Sequence, residues 1–202
     1  TRESGYYQCA NRNKYSVAID IATEEGQALI HEMVKTADVV IENFKAGSLA
    51  KYGLDYATLS QINPKLVYCS ITGFGQDGPR AEEPGYDFII QGMSGLMSIT
   101  GEKDGEIGAS SQKVGVAVVD LQTGLYSTIA IQAALLSRHQ TGKGQHIDMS
   151  LLDVQVAALA NQGMNYLTSG VAPKRMGNSH PNIVPYQTFK ANDQEFIIAC
   201  GN

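Results

Sequence analysis

The 202-residue sequence has no uninterrupted apolar run approaching the about 18 residues a membrane-crossing helix requires. A membrane partner is therefore not expected. No run of lysines and arginines stands out, and Lys+Arg 15 against Asp+Glu 20 leaves a net charge of -5. A nucleic-acid partner has no electrostatic support. The three cysteines, Cys9, Cys69 and Cys200, are odd in number and far apart. Reduced thiols fit that pattern, with Cys69 and Cys200 expected to be buried in apolar strands. The string G-x-S-x-G is missing, so a hydrolase triad has no anchor. H-E-x-x-H and H-x-x-x-H are missing too, and the four histidines are scattered, so no metal site is expected. Neither internal repeats nor low-complexity segments are visible.

The chain has 43% hydrophobic and 17% charged residues, the balance of a folded globular protein. Thr1 rather than Met stands first, and Gly201 and Asn202 open a turn after a strand-like EFIIAC. The chain reads as a piece of a longer one. No signal peptide opens it, which points to the cytoplasm, with organelle import left open.

Periodicity gives an alternation of strands and helices. Tyr15–Ile21 alternates and is β-branched, so it predicts a strand. Thr23 predicts a helix N-cap, with Glu24 and Glu25 favourable in the first turn. Strands are predicted over 38–42, 66–72 and 145–150, with a capped helix after Asp55. Further helices are predicted over 86–97, 121–139 and 151–168, with Gly/Pro-rich or polar loops over 73–85 and 101–112. This pattern is α/β, a Rossmann-like parallel sheet with flanking helices.

Two motifs carry chemistry. Gly73-Phe74-Gly75-Gln76-Asp77-Gly78 fits G-x-G-x-x-G after a strand, which would suggest a dinucleotide site. Pro79 and Pro84 follow, however, and that stretch cannot open the helix that a pyrophosphate needs. No redox nucleotide is expected. Asp120 lies between the apolar run VGVAVV and a long helix. An aspartate there is first of all an N-cap. The same junction would also hold a carboxylate rigidly beside backbone amides able to stabilise an oxyanion. An ordinary aspartate is ionised at neutral pH and attacks a carbonyl without a general base. Lys45, Lys51 and Arg80 are isolated cations, by default solvated.

Seven strings occur together and in order: NRNKYSVAID (11–20), ADVVIENFKAG (37–47), GFGQDGP (73–79), PGYDFIIQGMSGLMSITG (84–101), VGVAVVDLQTGLY (114–126), TGKGQHIDMSLLD (141–153) and GNSHPNIVPYQTF (177–189). They cover nearly the whole chain, and the chain resembles the family III CoA-transferases, a group that includes formyl-CoA transferase, carnitine CoA-transferase and α-methylacyl-CoA racemase. The resemblance implies an intertwined-dimer fold. Residues 1–202 would be a fragment of the large CoA-binding domain (about 1–140) running into a linker and the start of a second region (about 141–202). It also implies a CoA-transferase that moves CoA from an acyl-CoA to a small carboxylic acid, here a dicarboxylic one. Asp120 would be the nucleophile, passing through an anhydride and an aspartyl-CoA thioester.

The resemblance further implies coenzyme A contacts. Ile19, Asp20, Ile21 and Ala22 fall on the adenosine side. Asn43, Phe44 and Lys45 form the ENF segment, and Lys51 stands where the family often has arginine, a swap that loses bidentate phosphate binding. Tyr86 and Asp87 fall near the thioester. Racemase members carry a histidine where this chain has Tyr86, and a phenol is a poor base at neutral pH. That favours transfer over racemisation. An acyl-CoA racemase and a non-catalytic CoA-binding protein are the alternatives. The family's glycine-rich loop and opening strand do not match any part of this sequence. The implied partners are acyl-CoA, a small carboxylate and a second copy of the chain.

Overall fold

A computed structural model describes residues 4–201. A short helix α1 (Gly5–Ala10) buries nothing. The predicted strand at Tyr15–Ile21 is not one. The chain runs there without regular structure, and Tyr15 is fully exposed. Its alternating side chains have no neighbouring strand among the described residues. Only Ile21 reaches the core.

Thr23 does cap α2 (Glu24–Val34), its Oγ1 accepting from the Gly26 amide at 3.1 Å. β1 (Val39–Glu42) follows. Asp55 likewise caps α3 (Tyr56–Ile62), accepting from the Thr58 amide at 3.3 Å. β2 (Val67–Thr72) is the most buried strand. α4 (Asp87–Met93) and α5 (Leu96–Ile99) divide the single helix expected over 86–97. α6 (Val118–Thr141) ends on Gly142, whose φ of 71° closes the helix in the left-handed region. β3 (His146–Ser150) leads into α7 (Leu151–Ala158) and α8 (Ala160–Ser169). A continuous helix was expected here. Ala160 instead sits at φ 49°, which interrupts the ladder, and no glycine or proline marks the spot. The hairpin β4 (Tyr186–Lys190) and β5 (Glu195–Ala199) closes the described chain.

β1, β2 and β3 form a parallel sheet in that order, with Ile41 opposite Cys69 and Cys69 opposite Ile147. Helical crossovers join the strands, as parallel pairing demands. Val34, Leu49, Leu54, Leu59, Leu66 and Tyr68 pack α2 and α3 against the sheet. Burying a leucine of this kind stabilises by about 1.5–3 kcal/mol. Tyr68 satisfies its buried hydroxyl by donating to the Leu54 carbonyl at 2.9 Å, and burial pushes its pKa up. A second cluster, Ile90, Val119 and Leu151, joins α4, α6 and α7. Cys69 is buried as expected, but Cys200 is exposed, because its hairpin has no covering layer among the described residues.

The apolar run VGVAVV (114–119) has the composition of a strand. It bends instead, and α6 begins at Val118. Asp120 is therefore the third residue of the helix and not its cap.

Candidate active site

The C-terminal ends of parallel strands are where α/β folds gather ligands. Here those ends carry Glu42-Asn43-Phe44 after β1 and Thr72-Gly73 after β2. Two hydrogen bonds shape the first segment. The Phe44 amide donates to Glu42 Oε2 at 2.8 Å, and Asn43 Nδ2 donates to the Ile71 carbonyl at 2.5 Å. The Asn43 amide nitrogen is thus used to tie β1's end to β2. Phe44 is left half-exposed.

A cleft of about 370 Å³ opens beside this edge, lined by Asn43, Phe44, Lys45, Thr72, Gly85 and Tyr86 among others. The loop over 73–85 closes its far wall. Gly73 and Gly85 pass so close that a Cβ on either would overlap the other's Cα, so both positions require glycine. No helix follows Gly78, as the prolines foretold, and the next one begins at Asp87. The loop's cation, Arg80, pairs with Glu83 at 3.2 Å and lies 5.6 Å from the Phe74 ring centre. A second cleft of about 250 Å³ lies on the other side of Lys45, lined by Glu42, Tyr56, Tyr68, Ser70 and His146. His146 Nε2 lies 2.9 Å from Ser70 Oγ, and its ring stacks on Tyr56. Ser70 is only 2% exposed, so this pair offers no accessible nucleophile.

The sequence-derived residues therefore divide. Asn43, Phe44, Lys45 and Tyr86 converge on one cleft. Ile19, Asp20, Ile21, Ala22 and Lys51 line neither cleft. Ile21 faces the core, Asp20 Oδ1 accepts from the Ala22 amide, and the Lys51 ammonium sits 4.6 Å from the Tyr52 ring centre.

Asp87 follows Tyr86 and leads from the cleft to Asp120. Asp87 Oδ1 accepts from the Val119 amide at 2.8 Å and the Asp120 amide at 3.4 Å. Asp87 Oδ2 accepts from Gln91 Nε2 at 2.7 Å, and Gln91 Oε1 accepts from the Val114 amide at 2.8 Å. Asp120 itself is exposed. Its carboxyl is held above the ordinary aspartate range, first by desolvation on its protein side and then by the Asp87 charge. A more basic carboxylate is a stronger nucleophile, and this one accepts no hydrogen bond among the described residues.

One expectation is corrected. The amides at the start of α6 were expected to be available to an oxyanion. The Val118 amide donates to the Val116 carbonyl, the Leu121 amide to the Ala117 carbonyl, and the two between them to Asp87. All four are engaged. Gln91 was not foreseen at all. Its signal was a lone polar residue in the run FIIQGM, four positions after Asp87 and so on the same helix face.

Residues 1–202 match the profile of CoA-transferase family III. The chain belongs to that family. It is 60% identical over 199 residues to the succinate–glutarate CoA-transferase of Agrobacterium fabrum, covering 98% of this chain and 49% of that protein. It is 42% identical over 200 residues to the acetyl-CoA:oxalate CoA-transferase of Acetobacter aceti, covering 99% of this chain and 51% of that protein. A crystal structure of a CaiB/BaiF family protein from Brucella suis superposes with a TM-score of 0.84 at 63% identity, covering 94% of this chain and 49% of that one. The chain spans about half the length of these family III relatives. The α/β fold with a parallel three-stranded sheet and flanking helices is thus a family property. Among the described residues no helix is long and apolar enough to cross a membrane, and no group of three or more His, Cys, Asp or Glu could hold a metal.

Proposed function

We propose that this chain carries the nucleophile and part of the CoA site of a CoA-transferase acting on small dicarboxylic acids. The observation that carries the reading is the exposed Asp120 in the first turn of α6, without a salt bridge among the described residues and linked through Asp87 to the Tyr86 end of the cleft. The relatives' names support the substrate class, since succinate, glutarate and oxalate are all dicarboxylic acids.

Asp120 attacks the acyl-CoA carbonyl, forming a mixed anhydride and expelling CoA thiolate. The thiolate attacks the aspartyl carbonyl, which releases the donor acid and leaves an aspartyl-CoA thioester. The acceptor carboxylate attacks that thioester to give a second anhydride and thiolate. Attack of the thiolate on the acceptor's acyl carbon yields the new acyl-CoA and restores Asp120. Every step exchanges one activated acyl group for another, so no ATP enters. Lys45, which lines the cleft and has no ion pair among the described residues, would meet a CoA phosphate. Asn43, Phe44 and Tyr86 would line the path, whereas Ile19–Ala22 and Lys51 would contribute only through backbone or movement.

A homodimer accords with α6, where Leu121, Leu125, Ile129 and Leu136 form an exposed apolar stripe. Tyr86 in the position next to Asp87 disfavours the racemase reading. The test is intact-protein mass spectrometry after incubation with a panel of acyl-CoAs and hydroxylamine trapping. An adduct mapped to Asp120 is expected, and the acyl-CoA that forms it names the donor. CoA binding without an adduct from any donor would overturn the aspartyl route.

A further inference from the structure

Helices are commonly capped by the side chain at their own N-cap position. α6 is not. Its N-cap position is Ala117, which has no side-chain acceptor, and the first turn is left with the amides of Val119 and Asp120 to satisfy. Val119 is fully buried, so water cannot supply the partner. One oxygen of Asp87, from the start of α4, takes both amides.

That oxygen is itself held in place. Gln91 is fully buried in α4 and grips the other Asp87 oxygen with its nitrogen. Its carbonyl oxygen takes the amide of Val114, in the segment that delivers the chain into α6. A single side-chain pair therefore fixes the first turn of α6 from one side and its approach from the other. Both Asp87 oxygens are engaged within the fold, Oδ1 by two helix amides and Oδ2 by Gln91.

We propose that Asp87 is a positioning residue, and that the Asp87–Gln91 pair sets the direction in which Asp120 presents its carboxylate to the acyl carbonyl. This rests on the reading of Asp120 as the nucleophile. Because the bonds of the pair run to the first turn of α6 and to its approach, its loss should slow the covalent step and spare donor binding. A misdirection of the attacking atom by an ångström is enough to cost about 100-fold in rate.

The experiment compares the intact wild-type protein with Asp87→Ala and Asp87→Asn. Steady-state kinetics with the donor found active for the wild type are combined with the rate of hydroxylamine-trappable adduct formation on Asp120. Asp87→Ala is expected to lower kcat by about 100-fold and to slow adduct formation in parallel, with donor KM nearly unchanged. Asp87→Asn keeps an acceptor oxygen for the helix amides and should fall between the two. A rise in KM at wild-type kcat would overturn the inference and assign Asp87 to substrate binding. Wild-type kcat and adduct rate in both variants would overturn it as well. If Asp87→Ala does not fold, Asp87→Asn decides alone, a reduced adduct rate at unchanged KM supporting the inference and a wild-type rate refuting it. Failure of the underlying reading looks different, because the wild type itself would then form no adduct on Asp120.

Discussion

Helices α2 and α3 begin on their own caps, Thr23 and Asp55, whereas α6 borrows its cap from α4. A self-capped helix needs only its local sequence to know where to start. A helix capped from elsewhere starts correctly only when two elements have already packed. The same split separates the scaffold from the proposed nucleophile. α2 and α3 close over the sheet and bury Val34 and Leu59, whereas the first turn of α6 carries the exposed Asp120. Borrowing the cap lets the position of the proposed nucleophile depend on the wall of the cleft beside it.

The largest effect is expected at the proposed nucleophile. Asp120→Ala in the intact protein should reduce transfer by more than about 1,000-fold, since a missing nucleophile cannot be replaced by its neighbours. CoA binding, read by calorimetry, should persist, because Asn43, Phe44 and Lys45 are untouched. Turnover retained by a folded variant would remove Asp120 from the mechanism.

Much of this was legible in the sequence. The caps at Thr23 and Asp55, the strands over 39–42 and 67–72 and the cleft residues Asn43, Phe44, Lys45 and Tyr86 follow from local patterns or from the family strings. Two of the misses share one cause. Tyr15–Ile21 has strand chemistry, but a strand exists only with a partner to pair with. VGVAVV likewise looks like a strand, yet the amides of Val114 and Val119 are claimed by Gln91 and Asp87, both far away in sequence. Ala160 turns left-handed without a glycine to announce it. Local chemistry determines what a segment can do, and the long-range partner decides which of those things it does.

The two kinds of cap should also differ in stability. Asp87→Ala leaves the Val119 amide buried without an acceptor, a cost of about 1–3 kcal/mol. Asp55→Ala, at a half-exposed helix start where water can substitute, should cost about 1 kcal/mol. Urea unfolding of both variants measures the difference. Equal losses would mean that the cap on α6 is no more critical than an ordinary one, and the comparison would collapse. On the ligand side, Lys45→Ala should raise the KM for acyl-CoA roughly tenfold, the effect of one lost charge-assisted hydrogen bond. An unchanged KM would remove Lys45 from the phosphate site.

The smallest effect concerns the same carboxyl that carries the largest. Desolvation on its protein side and the Asp87 charge hold the Asp120 pKa above its ordinary value, so the folded protein binds this proton more tightly than the unfolded chain does. Below the unfolded value of about 3.9 both states are protonated and the difference vanishes. As pH rises through that value towards the raised folded one, the unfolded chain ionises first and wild-type stability falls. Above the folded value the deficit is constant. Asp120→Asn, which cannot ionise, should therefore melt at a slightly higher temperature than wild type at neutral pH, with the gain disappearing in acid. Melting curves of the two proteins across that range test the sign. A gain that grew in acid, or none at neutral pH, would show that Asp87 and burial do not disfavour the Asp120 carboxylate, and the nucleophile would have to be activated only when substrate closes the cleft.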